Sequence, residues 1–404
     1  MLELLFALLI GVVFGIVAGL LPGLHPNNTI PMILGMSFLF GPLPTAVILV
    51  TSGVINCFVN YIPSILLGAP EESTVLGVLP GHKLLLEGRG FEAIKLCVTG
   101  SLGGVLFSIL TLPLFVFFIP TLYEFIRPHV HWLLIAVIGY LILTERGKNK
   151  FFALGIFFMS GILGLIVLNN FSDAALFPLL TGLFGLPLLL MSIFQKTKLP
   201  DKFSFEEEKI GRKNLFSCIS IGSLAGIIAG LLPGLGATQS TILTQQAFGK
   251  NKKNRDEGRE FLISIGAITT CDIVYSILAL WLIHNPRSGI AVGVSKLLEV
   301  GLNETLIFIA FIIISAGIAT FATLKMTKIS LNFLKKINYQ KMCLYTSIFL
   351  FALTIIFSGL IGILILIVSI AIGLIPNYLG VRRTYGMGCL ILPTILFFAG
   401  INLF

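Results

Sequence analysis

Charge is what this chain has least of. Only 11% of its 404 residues are Asp, Glu, Lys or Arg, whereas a water-soluble domain usually carries about 25%. With 56% hydrophobic residues and a mean hydropathy of +1.02, it cannot hide its apolar surface inside a soluble globule. Chemical signatures are missing as well. There is no HExxH, Walker loop, nucleophile elbow or CxxC, so the usual hydrolase, nucleotide-binding and thiol-redox patterns are absent. The six cysteines, Cys57, Cys97, Cys218, Cys271, Cys343 and Cys389, stand singly in apolar segments and read as small packing residues. Neither an enzyme nor a nucleic-acid partner is expected.

What the chain does have is long apolar runs. Segments such as 306–324 and 360–375 approach the roughly 20 residues a helix needs to cross a bilayer. Their continuous, non-alternating character excludes a lipid-facing β-barrel. The opening "MLELLFALLIGVVFGIVAGL" carries Glu3, no basic residue and no small-x-small cleavage site, so it reads as a retained span. The expected class is an all-α polytopic protein of the plasma membrane, in contact with lipid throughout.

The chain also repeats itself. "AGLLPGLHPN" at 18–27 returns as "AGLLPGLGAT" at 229–238, with Gly11, Gly15 and Ile16 answered by Gly222, Gly226 and Ile227. Weaker echoes follow: "SIL" at 64–66 and 276–278, then "GHKLLLEG" at 81–88 and "VSKLLEVG" at 294–301. The organisation expected is one repeat over 1–194, a cytoplasmic linker at 195–214 and a second repeat over 215–404.

Each repeat should hold a Pro-Gly-broken helical hairpin followed by five spans. These fall near 45–68, 96–119, 129–144, 151–168 and 171–194, and near 261–284, 305–324, 343–359, 360–378 and 386–403. An odd number inverts the second copy. Alternation then places 24 of the 27 Lys and Arg on the cytoplasmic side, leaving out Arg127, Arg287 and Lys296, as the positive-inside rule requires. The stretch 325–341, with Ile329, Phe333 and Ile337 at helical spacing among lysines, reads either as a membrane-surface helix or as a solvated basic loop.

The repeated element is where chemistry is expected. Proline removes a backbone donor and glycine loosens the chain, so Pro22–Gly23 and Pro233–Gly234 end helices at membrane depth. A new helix begins after each break, and its first N–H groups and positive dipole end suit an anion. Polar residues follow: His25, Asn27, Asn28 and Thr29 in one copy, Thr238, Gln239, Ser240 and Thr241 in the other. Gly19, Gly230 and Gly236 allow close backbone approach. Asp272, in "ITTCDIVYSI", is the carboxylate farthest from the ends of its span, and an intramembrane acid is a functional candidate by default. With Thr269 and Thr270 it forms a candidate coupling site for Na⁺ or H⁺, no other cofactor being expected. Asn56 and Asn60 occupy the related region of the first repeat.

Three stretches, "GIVAGLLPGLHPNNTIPM" at 15–32, "SILLGAPEESTVLGVLPGHKLLLEGRGFEAIKL" at 64–96 and "GSLAGIIAGLLPGLGATQS" at 222–240, together resemble the large permease subunit of tripartite tricarboxylate transporters, the TctA family. The resemblance implies secondary transport of citrate-like and other carboxylates. It also implies two partners, a small membrane subunit and an extracytoplasmic solute-binding protein. It reaches residue by residue to Gly19, Pro22 and Gly23, to Gly230, Pro233, Gly234 and Gly236, and to the polar residues after them. This chain departs from the pattern at His25, where the family has glycine, and at "SIGAITTCDIVY", where it has an acidic, asparagine-rich segment. The reading is therefore a cation-coupled carrier of small organic anions, with the homo-oligomeric state open. The alternative is a translocase for a polyprenyl-phosphate-type lipid, whose broken hairpins would be similar.

Overall fold

Apolar runs become helices here because a backbone in lipid must satisfy its own polar groups. The computed structural model describes residues 2–21, 26–69, 72–171, 175–194, 203–205, 210–231, 237, 240, 241, 244, 257–284, 286, 288–334 and 339–401, and no strand occurs among them. The first half contains α1 (Leu2–Leu20), α2 (Pro26–Gly35), α3 (Ser37–Phe40), α4 (Pro42–Val59), α5 (Tyr61–Leu66), α6 (Val78–Leu86), α7 (Gly90–Ile126), α8 (Val130–Thr144), α9 (Asn149–Asn170), α10 (Leu176–Leu180) and α11 (Leu186–Phe194). A π-helical turn, Thr181–Gly185, joins the last two. The second half contains α12 (Arg212–Leu231), α13 (Glu257–Ile283), α14 (Gly289–Ser295), α15 (Leu302–Leu334), α16 (Tyr339–Leu379) and α17 (Gly388–Phe398). Among the described residues, nine helical stretches are long and apolar enough to cross a membrane.

Glycine stripes fix how these helices meet. Along α1, a Cβ at Gly11 would lie 2.7 Å from Thr51 Cβ, one at Gly15 2.6 Å from Ile55 Cβ, and one at Gly19 2.8 Å from Val59 Cβ. The contacts climb both helices in the same order, so α1 and α4 are parallel. The chain between them must come back, and α2 with α3 is the returning arm of a broken hairpin. The second half repeats the arrangement: Gly222 sits on Ser264 and Ala267, Gly226 on Ile268 and Cys271, and Gly230 on Asp272 and Tyr275. The duplication is thus present in packing as well as in sequence.

The two halves exchange partners at the centre. α13 packs along α7, and α4 packs along α15, so the central helix of each repeat lies against the long helix of the other. Backbones nearly touch where α7 meets α13: a Cβ at Gly100 would stand 1.9 Å from Ile263 O, and one at Gly266 2.1 Å from Cys97 O. Small residues permit such approach, and dispersion and interhelical hydrogen bonds hold it together. Among the described spans α13 is the most enclosed. The start of α7 meets the end of α15, where Gly90 faces Leu331 and the Lys328 ammonium lies 5.3 Å from the Phe91 ring.

Two expected spans, 343–359 and 360–378, run together in α16. Gly359, at φ 61° and ψ −155°, breaks the helix without a loop. A straight helix separates residues eight apart by about 12 Å, yet a Cβ on Gly362 would lie 3.1 Å from Thr354 Cγ2. The chain therefore turns sharply at one glycine. The basic stretch after 325 forms neither a separate surface helix nor a loop up to 334. It continues α15, with Thr327, Leu331 and Leu334 buried while Ile329 and Phe333 face outward.

Candidate functional site

Each glycine-striped helix ends beside a polar residue of its partner. Gly19, the last glycine before the first break, faces Asn56 O and Val59; Gly230, its counterpart, faces Asp272 O and Tyr275. The glycines recur after 211 residues and their partners after 216, so Asn56 and Asp272 are structural equivalents, as are Asn60 and Ser276. The "SIL" echo, whose offset is 212, aligned these helices one turn out of register.

Asn56, on α4, and Asn60, which caps its C-terminal end one turn later, are each only 2% exposed. Neither Nδ2 has a hydrogen-bond partner among the described residues, and neither does Ser240 Oγ, also fully buried. Buried donors left open are uncommon and call for an explanation in a ligand or ordered water. Asn60 Oδ1 is occupied: it accepts from Ser64 Oγ at 2.8 Å, and Ser64 in turn meets Thr74 Oγ1 at 2.8 Å. The amide is thereby oriented with its donor side free.

The two polar regions are tied across the repeats. Tyr61, next to Asn60, bonds Thr269 Oγ1 at 2.9 Å and Ser101 Oγ at 3.0 Å. Thr269 lies three residues before Asp272. Thr270 faces α7 instead and donates to Ser101 O at 2.8 Å. Asp272 Oδ1 accepts from Ser276 Oγ at 3.4 Å. The structure thus joins Asn60, Tyr61, Thr269 and the Asp272 turn, while Thr270 serves the α7 contact. Thr241 turns its hydroxyl back to Ala237 O at 2.7 Å, and Thr29 is buried at the start of α2. Pro22, Gly23, His25, Pro233, Gly234, Gly236, Thr238 and Gln239 lie outside the described residues, as do the side chains of Asn27 and Asn28.

Several residues that hold this region together had no motif to announce them. Ser108 Oγ meets Cys271 Sγ at 3.0 Å and Thr111 Oγ1 meets Tyr275 Oη at 2.8 Å, extending the hydroxyl ladder along α7 and α13. "GSLGG" at 100–104 was its one sequence trace. At the start of both helices lies a buried ion cluster. Glu92, 2% exposed, accepts from Arg89 Nε at 2.7 Å and from Arg259 Nη2 at 2.7 Å. Among the described residues, no three His, Cys, Asp or Glu side chains converge as metal ligands would.

Residues 5–388 match the tripartite tricarboxylate transporter TctA family. The chain belongs to that family. An uncharacterized protein of Methanocaldococcus jannaschii is 33% identical over 395 residues, covering 93% of this chain and 94% of its own length. No solved structure matches the chain. As a TctA-family member the protein is a multi-pass membrane component of a tricarboxylate transporter, and the family is one of transporters rather than enzymes. The family implies further subunits alongside the large one.

Proposed function

We propose that this TctA-family protein is a secondary carrier that binds a small organic anion, of carboxylate type, between its two Pro-Gly-broken helices near the middle of the membrane. The observation that carries this reading is the pairing of two like-packed helices that end at the Pro-Gly elements with buried donors lacking partners among the described residues, the Asn56 and Asn60 amides and the Ser240 hydroxyl. Donors of this kind, joined to helix N-termini, suit a carboxylate. A small membrane subunit and a solute-binding protein would complete the system in the plasma membrane. Nothing in the family supports the lipid-translocase alternative.

Inverted repeats belong to the same proposal. α7 and α15 hold corresponding places in the two halves, and the beginning of one lies against the end of the other, which favours opposite directions through the bilayer. Single cysteines replacing Lys83, Lys325 and Lys296, in a background lacking native cysteines, test it. An impermeant thiol reagent on intact cells should label only the last; labelling at Lys83 or Lys325 would overturn the inversion.

Asp272 supplies the coupling in this reading. Importing an anion against a negative-inside potential costs roughly 2.3 kcal/mol per charge per 100 mV, so accumulation requires accompanying cations. Citrate and succinate binding to folded, purified protein tests the anion site. Asn56→Leu and Ser240→Ala should each weaken binding several-fold, the value of about one neutral hydrogen bond. Unchanged affinity in both would place the site elsewhere.

A further inference from the structure

A second cationic region lies apart from the helix breaks. A cavity of about 670 Å³ is bounded by the 75–86 segment, by Phe184 and Leu188, by Gly258 and Phe261 of α13, and by residues 382–384. Both repeats contribute to its wall. The lining is mostly apolar, yet it includes Lys83, Arg382 and Arg383.

Among the described residues the charges there are not balanced. Arg382 reaches Glu145 at 3.4 Å, and that carboxylate is shared with Tyr385 Oη at 3.0 Å. Arg383 is half-buried, and the partner of its Nε is the neutral Asn377 Oδ1. Among the described residues no carboxylate pairs with Arg383 or Lys83, which leaves two positive charges uncompensated at one cavity wall. His82, also in the lining, is buried with Nδ1 3.1 Å from Ile65 O. Burial holds its imidazole below the ordinary histidine value, and Arg383 pushes the same way, so His82 adds polarity without a countercharge.

A partly desolvated guanidinium without a counter-ion is costly, and an entering anion is its natural compensation. The volume is that of a small-molecule site, and the apolar walls suit a ligand with an apolar body. We propose that this cavity binds an amphiphilic oxyanion, a phosphate or carboxylate carried on an apolar body, with Arg383 and Lys83 holding the charged end. The same chemistry is offered by the headgroup of an anionic phospholipid and by a soluble organic anion. None of these residues belongs to the Leu-Leu-Pro-Gly-Leu elements, so the inference stands or falls independently of the transport site.

Octyl phosphate is the probe, titrated into full-length protein in phosphatidylcholine nanodiscs. Saturable binding is expected, weakened about tenfold by Arg383→Gln and by Lys83→Gln, as for a lost charge-assisted hydrogen bond. Arg212→Gln, which removes a charge elsewhere, should leave it unchanged. Lys83 is exposed, so its replacement keeps the test decisive should Arg383→Gln fail to fold. Nanodiscs containing phosphatidylglycerol distinguish the sources: lost octyl phosphate binding identifies a lipid headgroup, and retained binding that hexanoate displaces identifies a soluble anion. No saturable binding by folded wild type, or wild-type affinity in the folded Lys83→Gln protein, would overturn the proposal.

Discussion

Gly230→Ala is the smallest change that tests whether the breaks are held where the packing puts them. The added methyl would sit 2.8 Å from Asp272 O, 2.9 Å from Tyr275 Cβ and 3.1 Å from Ser276 N. Ordinary contact begins at 3.4 Å, so α12 must move off α13 by about 0.6 Å, and none of the three obstacles is the flexible end of a side chain. Overpacking of this kind costs about 1–3 kcal/mol. The displacement also carries the end of α12 away from Asp272. A lower unfolding midpoint in detergent and weaker citrate binding should therefore appear together. Gly155→Ala is the control: nothing lies within 4 Å of its Cβ, and alanine favours the helix. Gly19→Ala, facing Val59 Cβ at 2.8 Å, should behave like Gly230→Ala. If Gly230→Ala unfolds at the wild-type temperature and binds with wild-type affinity, the close α12–α13 approach does not position the site.

Asp272→Asn should abolish gradient-driven uptake into proteoliposomes while sparing some substrate exchange; accumulation equal to wild type under an imposed Na⁺ or pH gradient would make Asp272 a structural acid only. Glu92→Gln removes the buried carboxylate shared by two guanidinium groups at the helix starts and should cost up to about 3–5 kcal/mol, read by unfolding, whereas loss of Arg89, which is more exposed and also reaches Glu87, should cost less. His82 is held neutral in the fold, so the stability this provides is present above the ordinary histidine value of 6.5 and is lost as pH falls below it. His82→Gln should flatten the stability profile between pH 7 and 5; an unchanged slope would show that His82 does not titrate on unfolding.

The helices, including the ends of α1 and α12 just before the two Pro-Gly elements, could be read from sequence because lipid imposes one strong rule and the chain obeys it with uninterrupted apolar runs. The first broken hairpin was readable from Leu-Leu-Pro-Gly-Leu, and α2 with α3 forms its return arm between the parallel α1 and α4; the second copy's arm lies mostly outside the described residues, where α12 and α13 repeat the parallel stripe. Other features left weaker traces. Gly359 reverses direction with one residue and no charged loop, so only its conformation marks the boundary between two spans. Glu92 and Arg259 stand in segments full of other charges, and no pattern shows which carboxylate will be buried. The "SIL" match misaligned α4 with α13 because common apolar triplets recur by chance, whereas backbone contacts at six glycines cannot slip.

The corrected register gives the site its logic. Equivalent positions on one duplicated scaffold carry a neutral amide, Asn56, and a carboxylic acid, Asp272. Had both been asparagine, an anion could settle among donors without any cation. With an ionised Asp272 nearby, two like charges 4 Å apart would repel by about 4 kcal/mol at an effective dielectric of 20. On the proposed reading that penalty disappears when Asp272 binds Na⁺ or takes up a proton. Anion binding would then favour cation binding, and reciprocity requires the cation to favour the anion by the same factor. On the proposed reading, the divergence of one residue between two copies would be enough to turn a symmetric anion cradle into a coupled carrier.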